Sequence, residues 1–230
     1  MSAVTPTRDG RRPIAHLRMT YEQFLAWSDE DTHAEWVDGE VIQFMPPKLL
    51  HQAVANFLAN LLSLFVEMLG LGRIISAPFE VRLSDHSSRE PDIFFVSNDR
   101  LDRLTDERMD GAPDLIVEIV SKESVQRDTE DKFREYEAAG VREYWIIDNR
   151  PRRRRAEFYA LDSNGKYQLI PVTKDGVFRS IVLPGFWLRT SWLWQERPDV
   201  LRALAEVIGP DQVAEALRRS LGQRRLSRQS

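Results

Sequence analysis

The run Leu115-Ile-Val-Glu118-Ile-Val120 is apolar enough to be a strand buried on both faces of a sheet, yet it carries a carboxylate in its middle. Burying a lone carboxylate costs several kcal/mol unless it is paired or binds a metal. Neighbouring segments repeat the theme. Glu90-Pro91-Asp92 leads into Ile93-Phe-Phe-Val96, Pro113-Asp114 opens the run around Glu118, and Glu143-Tyr-Trp-Ile-Ile-Asp148 is apolar between two acids. A polar helix holding Lys132 lies between the last two. Any fold for this chain must bring these carboxylates together around a counter-charge or a cation.

The rest of the composition narrows the chemistry. With no cysteine, disulfides, thiolate metal sites and cysteine nucleophiles are excluded. His16, His33, His51 and His86 are scattered without zinc-ligand spacing. The formal charge is −4, from 36 acidic against 32 basic groups, which argues against a protein that coats nucleic acid nonspecifically. No apolar run is expected to reach the roughly 20 residues needed to span a membrane, and no signal-peptide pattern opens the chain. A cytoplasmic protein with no membrane partner is the expectation.

Read in order, residues 1–18 are polar and unpatterned and predict a disordered arm. Thr20 caps a short helix ending near Trp27. Asp38-Gly39 between two apolar stretches predicts a hairpin with a type I′ turn, and Pro46-Pro47 stops its second strand. Val54, Phe57, Leu58, Leu61, Leu62, Phe65 and Leu69 recur at helical spacing, so His51–Leu69 is the strongest helix. Arg73–Leu83 alternates like one strand. The strand after Asp92 follows, then the charged segment 97–112, the strand 114–121, a helix over 129–139 and a strand at 144–147. The order is α-β-β-β-α-β, an α/β arrangement on a mixed sheet. Antiparallel strands near 157–161, 167–171 and 180–183 extend it. Pro198-Asp199 and Pro210-Asp211 each open a short helix in a basic C-terminal stretch.

Asp92 enters its strand at an edge where a catalytic carboxylate is placed, and Glu118 is either a metal ligand or half of a structural ion pair. Both offer hard oxygen donors of the kind that hold Mg²⁺ or Mn²⁺. Two lysines compete for a third role. Lys122 shares a face with Glu118 but lies ~13 Å further along the strand at ~3.3 Å per residue. Lys132 comes from the following helix, where pairing with Asp128 one turn earlier is the alternative. The residues alone leave that choice open. Glu80 offers a possible extra metal ligand, or pairs with Arg82. Arg152, Arg153, Arg154 and Arg155 are candidates for phosphate contact, or keep a sheet edge soluble. Trp187, Trp192 and Trp194 read as core or dimer contact rather than a base-stacking platform.

Taken together, Glu35…Asp38-Gly39-Glu40, His51, Pro91-Asp92, Pro113-Asp114…Glu118-Ile-Val-Ser121, Asp128…Lys132…Tyr136 and Gly140-Val-Arg-Glu-Tyr-Trp-Ile-Ile-Asp148 resemble the Uma family. These are bacterial endonucleases with the restriction-endonuclease-like PD-(D/E)XK fold. The resemblance covers roughly residues 19–194. It implies Mg²⁺-dependent phosphodiester cleavage of DNA, with Asp92 and Glu118 as metal ligands. The superfamily's usual lysine, two residues past the glutamate, is replaced here by Val120, and the family's helix-borne lysine maps to Lys132. Glu35 and His51 match the family pattern as residues lining the site. On this reading the chain divides into an arm (1–18), a nuclease domain (19–195) and a helical, basic tail (196–230), with a homodimer as one possible assembly. The rival readings are a nucleic-acid-binding module that lost turnover and a dimeric regulatory module on the same fold.

Overall fold

The computed structural model describes residues 17–29, 32–43, 48–122 and 124–226. Most of the arm and Pro46-Pro47 lie outside them. The arm's last two residues, Leu17–Arg18 (β1), are not a free end, because they pair with Val41 and Glu40. Thr20 caps α1 (Tyr21–Trp27) by accepting from the Gln23 amide while the Gln23 side chain accepts from its own. β2 (Ala34–Val37) and β3 (Glu40–Gln43) form the expected hairpin, with Asp38 at φ 47° and Gly39 at φ 83°.

The long helix α2 (Leu49–Leu69) follows. By length and composition it is apolar enough to cross a membrane, with a mean hydropathy of 1.5. That corrects the sequence expectation, which counted unbroken apolar letters and missed a helix whose average survives Gln52 and Asn56. Its buried stripe, Val54 to Val66, packs instead against one face of a sheet.

The single strand expected over 73–83 is two strands in two different sheets. β4 (Gly72–Ser76) pairs with β7, whereas β5 (Glu80–Ser84) pairs with β6 (Ser87–Arg89). The side-chain alternation runs unbroken across the bend at 77–78, so it carried no sign of the change of sheet. β7 (Ile93–Ser97) is followed by a 3₁₀ turn and by β8 (Arg108–Asp110), both inside the segment read as a charged insert. β9 (Leu115–Ile119) carries Glu118. A π-helical turn over Arg127–Asp131 runs into α3 (Lys132–Ala139), which Gly140 ends in a left-handed conformation.

β10 (Glu143–Asp148), β11 (Arg155–Leu161) and β12 (Tyr167–Leu169) complete the larger sheet. Its strand order is β12-β11-β10-β9-β7-β4, with β9 and β10 parallel and the other pairs antiparallel. The other six-stranded sheet runs β1-β3-β2-β6-β5-β8. A third, two-stranded sheet joins β13 (Val177–Arg179) to β14 (Trp187–Arg189). In the larger sheet Val117 and Ile119 point to the α2 side, and Ile116 and Val120 to the α3 side. Glu118 shares that second face with Tyr136 and Tyr144. The mixed α/β architecture is the one expected, but the C-terminal tail is not an appendage. Ala203 and Leu204 of α4 (Val200–Ile208) belong to the main core, and α5 (Pro210–Leu226) follows from it.

Residues 180–183, expected as a strand, wrap around a buried acid. Glu143 Oε2 accepts from Ser180 Oγ (3.1 Å), Ile181 N (2.7 Å) and Val182 N (3.1 Å), and Oε1 accepts from the Trp145 indole (2.6 Å). Amides turned toward one carboxylate cannot serve a sheet ladder. Trp145 in turn packs edge-on against Phe158 and Phe178, and Trp187 lies 5.3 Å from Trp192 on the same core, so the tryptophans serve packing. Replacing Glu143 with alanine strands four donors, two of them in fully buried bonds, at about 1 kcal/mol each. We expect Glu143→Ala to lose about 3 kcal/mol in urea unfolding followed by tryptophan fluorescence.

Candidate active site

Glu118 sits in the centre of the larger sheet, opposite Ile146 on parallel β10 and one residue past the pairing of Val117 with Ile93 on β7. Because Asp92 immediately precedes β7, the antiparallel register brings it beside the same point. The Ile119 amide fixes it there, donating to Asp92 Oδ2 at 2.6 Å. The two carboxylates are therefore spaced by a strand pair rather than by loops.

The position two residues past Glu118 is Val120, which is buried among the side chains beneath α3. That face is covered by the helix, and the helix supplies the cation. Lys132, at the first residue of α3, places Nζ 2.7 Å from Glu118 Oε1 and 2.8 Å from Glu35 Oε1, with Asp128 Oδ1 at 3.9 Å. The Tyr136 hydroxyl, one turn on, donates to the same Glu118 oxygen at 2.7 Å. Lys122 is exposed on the preceding turn and does not line the cleft.

These groups stand at the head of a cleft of about 340 Å³ lined by residues that include His51, Ala55, Ala59, Asp92, Glu118, Asp128 and Lys132. His51 lines the cleft, inside the first turn of α2. Its Nε2 lies 3.3 Å from Asp92 Oδ2. Burial disfavours the charged imidazole, but the hydrogen bond and the charge of Asp92 outweigh it and raise its proton affinity.

Glu35 corrects the expectation that it lines the site. Its fully buried side chain lies behind Lys132, because β2 belongs to the other sheet, and it touches the cleft wall through the lysine and the Glu90 amide. Glu80 is not brought in either. Its carboxylate accepts from Tyr21 and Ser88, both at 2.6 Å, at the far side of β6, and Arg82 stacks on Tyr21 instead of pairing with it. Arg152–Arg154 lie in the exposed turn between β10 and β11, with Arg152 at a left-handed φ of 66°, and Arg155 opens β11. Asn149 at the start of that turn donates to the Leu50 carbonyl at 2.6 Å, one residue from His51, so the turn stands beside the cleft.

The sequence reading missed three participants. Asp128, read only as a surface partner for Lys132, is buried in the cleft wall, and its Oδ1 has no hydrogen-bond partner. Arg89, buried, and Glu135, partly exposed, stand behind Lys132 as an ion pair. An acid four residues before a lysine is also the commonest pattern of an exposed helix pair, so only the apolar stripe of Phe133 and Tyr136 hinted otherwise.

Electrostatically the cleft divides in two. Burial alone would raise Glu35, but Lys132 and then Arg89 outweigh it and hold the carboxyl down to about 2. Burial pushes Glu118 up to about 8, against Lys132 and reinforced by Asp128, Asp92 and Glu35. Asp128 rises to about 6 and Glu90 to about 7, again mainly by burial. Glu35 thus stays charged against the lysine, whereas the acids on the cleft side hold their protons more tightly than free carboxyls. Among the described residues no group of three or more histidine or acidic side chains is preassembled at metal-binding spacing. The oxygen donors of Asp92 and Glu118, with the unpartnered Asp128 Oδ1 nearby, fit a hard cation that keeps several waters.

This strand-and-helix order, with acids at the ends and centre of a mixed sheet, is that of the restriction-endonuclease-like nucleases. The chain belongs to the Uma2 family, whose model, described as "Putative restriction endonuclease", matches residues 21–191. Its fold is similar to the crystal structure of a putative nuclease belonging to DUF820 from Anabaena variabilis, at 18% identity and a TM-score of 0.62, covering 76% of this chain and 97% of that one. No curated protein matches.

The low proton affinity of Glu35 has a direct consequence. The unfolded carboxyl, near 4.5, takes up a proton as pH falls while the folded one stays charged until about 2. Its contribution, on the order of 3 kcal/mol, is complete above 4.5 and drains away between 4.5 and 2. Urea unfolding across that range is expected to show a steeper acid loss for the wild type than for Glu35→Gln.

Proposed function

We propose that the chain is a metal-dependent DNA endonuclease that hydrolyses a phosphodiester into a phosphate monoester and a hydroxyl. The observation that carries this reading is the Lys132 ammonium 2.7 Å from Glu118, at the head of a cleft that Asp92 also lines. Asp92 and Glu118 would hold Mg²⁺ or Mn²⁺, which when bound supplies Lewis acidity and a more acidic water.

The chain's own groups do the rest. Lys132 has three N–H donors, and Glu118 and Glu35 take two of them. The third is left to a phosphate oxygen or to the attacking water, from a position fixed before substrate arrives. The Ile119 amide and His51 both hold Asp92 Oδ2, which leaves Oδ1 for a cation. Arg152, Arg153 and Arg154 stand exposed beside the cleft and would take the flanking phosphates of the strand. Placing Arg152 in a left-handed backbone, where Gly or Asn is easier, is consistent with a turn kept for its charge.

The test is cleavage of supercoiled plasmid and of single-stranded DNA with Mg²⁺, Mn²⁺ or EDTA. Asp92→Ala and Glu118→Ala are expected to abolish metal-dependent cutting and to weaken Mn²⁺ binding in calorimetry. Lys132→Ala is expected to lower kcat by about 100-fold or more. Wild-type activity in Glu118→Ala, or no cutting by the wild type with either metal, overturns the proposal.

A further inference from the structure

Behind Lys132 the ion pairs close into a circuit. Glu35 Oε1 accepts from Lys132 Nζ at 2.8 Å, and Glu35 Oε2 accepts from Arg89 Nη1 at 2.8 Å. Arg89 then grips Glu135 with both edges of its fork, Nε to Oε2 at 2.8 Å and Nη2 to Oε1. Glu135 lies three residues after Lys132 on α3, so the helix itself returns the circuit to its start. Ser87 Oγ adds a bond to Glu135 Oε2 at 2.9 Å. A branch reaches the other side of the cleft, where the Glu90 amide donates to Glu35 Oε1 at 3.2 Å, two residues before Asp92.

Glu35, Arg89 and Glu135 do not line the cleft, and Glu35 and Arg89 are buried with Lys132. Buried ion pairs are a poor source of stability, because well-packed apolar side chains of the same volume serve as well or better. What they add is geometry. Arg89 and Glu35 come from the six-stranded sheet of β2 and β6, Lys132 and Glu135 from the helix covering the sheet of β9 and β10. The circuit fixes the helix on two consecutive turns, and with it the direction of the lysine.

We infer that Glu35, Arg89 and Glu135 are positioning residues that hold the Lys132 ammonium and the Glu90–Asp92 segment in place across the two sheets. Glu35 is the lysine's counter-ion on the side away from the cleft. This inference rests on the proposed nuclease reading for its catalytic meaning, but its structural claim can be read without turnover.

The experiment uses the full chain labelled with ¹⁵N-lysine. A buried ammonium with two carboxylate partners exchanges its protons slowly, so the Lys132 NH₃⁺ group is expected to give a cross-peak, identified by its loss in Lys132→Met. Arg89→Lys and Glu135→Gln change groups that do not touch the lysine. Each is expected to broaden or shift that peak, and to lower kcat for DNA cleavage at least tenfold with KM within about twofold. Should Arg89→Lys fail to fold, Glu135→Gln, whose side chain is 27% exposed, decides alone. An unchanged Lys132 signal and unchanged kcat in a variant that merely melts earlier would make the circuit structural only and overturn the inference. Absence of the peak in the wild type would overturn it as well. If the wild type cuts no DNA, the nuclease reading falls while the ammonium signal still decides the circuit.

Discussion

Everything around the cleft depends on one buried contact, the Lys132 ammonium between Glu118 and Glu35. A charged group in the interior is tolerated only with partners at hydrogen-bonding distance. That requirement sets where α3 sits on the sheet, which face of β9 it covers, and why a strand from the other sheet approaches it. The tyrosines of α3 and β10 fill the space around the pair and exclude water from it. Tyr136 spends its hydroxyl on Glu118, and Tyr144 spends its own on the Asp128 carbonyl.

The unequal division of charge across the lysine follows from position. Glu35 has two cationic neighbours and no exposure to the cleft, whereas Glu118 shares one cation and faces Asp92 and Asp128. The arrangement keeps a permanent ion pair on the inside and an unsatisfied acidic wall on the outside. Membership of the Uma2 family agrees with such a site in a nucleic-acid hydrolase.

Much of this was legible in the residues, and the failures have physical causes. The Asp38-Gly39 turn, the capping box at Thr20 and the apolar stripe of α2 are local signals, and each appears where the sequence puts it. The carboxylate inside Leu115–Val120 announced a buried charge, but its partners come from residues 132 and 136 on the helix beyond the strand, and no local pattern encodes such a pairing. Alternation over 73–83 reports only which side chains share a face, so it is silent on which sheet each half joins. Arg89 went unread because a single arginine beside Glu90-Pro-Asp looks like solvated charge until the fold closes over it.

The helix α2 serves two surfaces at once. His51, Ala55 and Ala59 form a wall of the cleft, while Val54, Leu58 and Leu62, each one position away from that wall or three along from it, are sealed in the core. Substitution at 55 and 59 would reshape the space offered to a ligand as well as touch the edge of the core, whereas substitution at 58 and 62 would fall within the core alone. A lineage can retune what enters the cleft by exchanging small side chains along one stripe of a helix whose other stripe stays fixed.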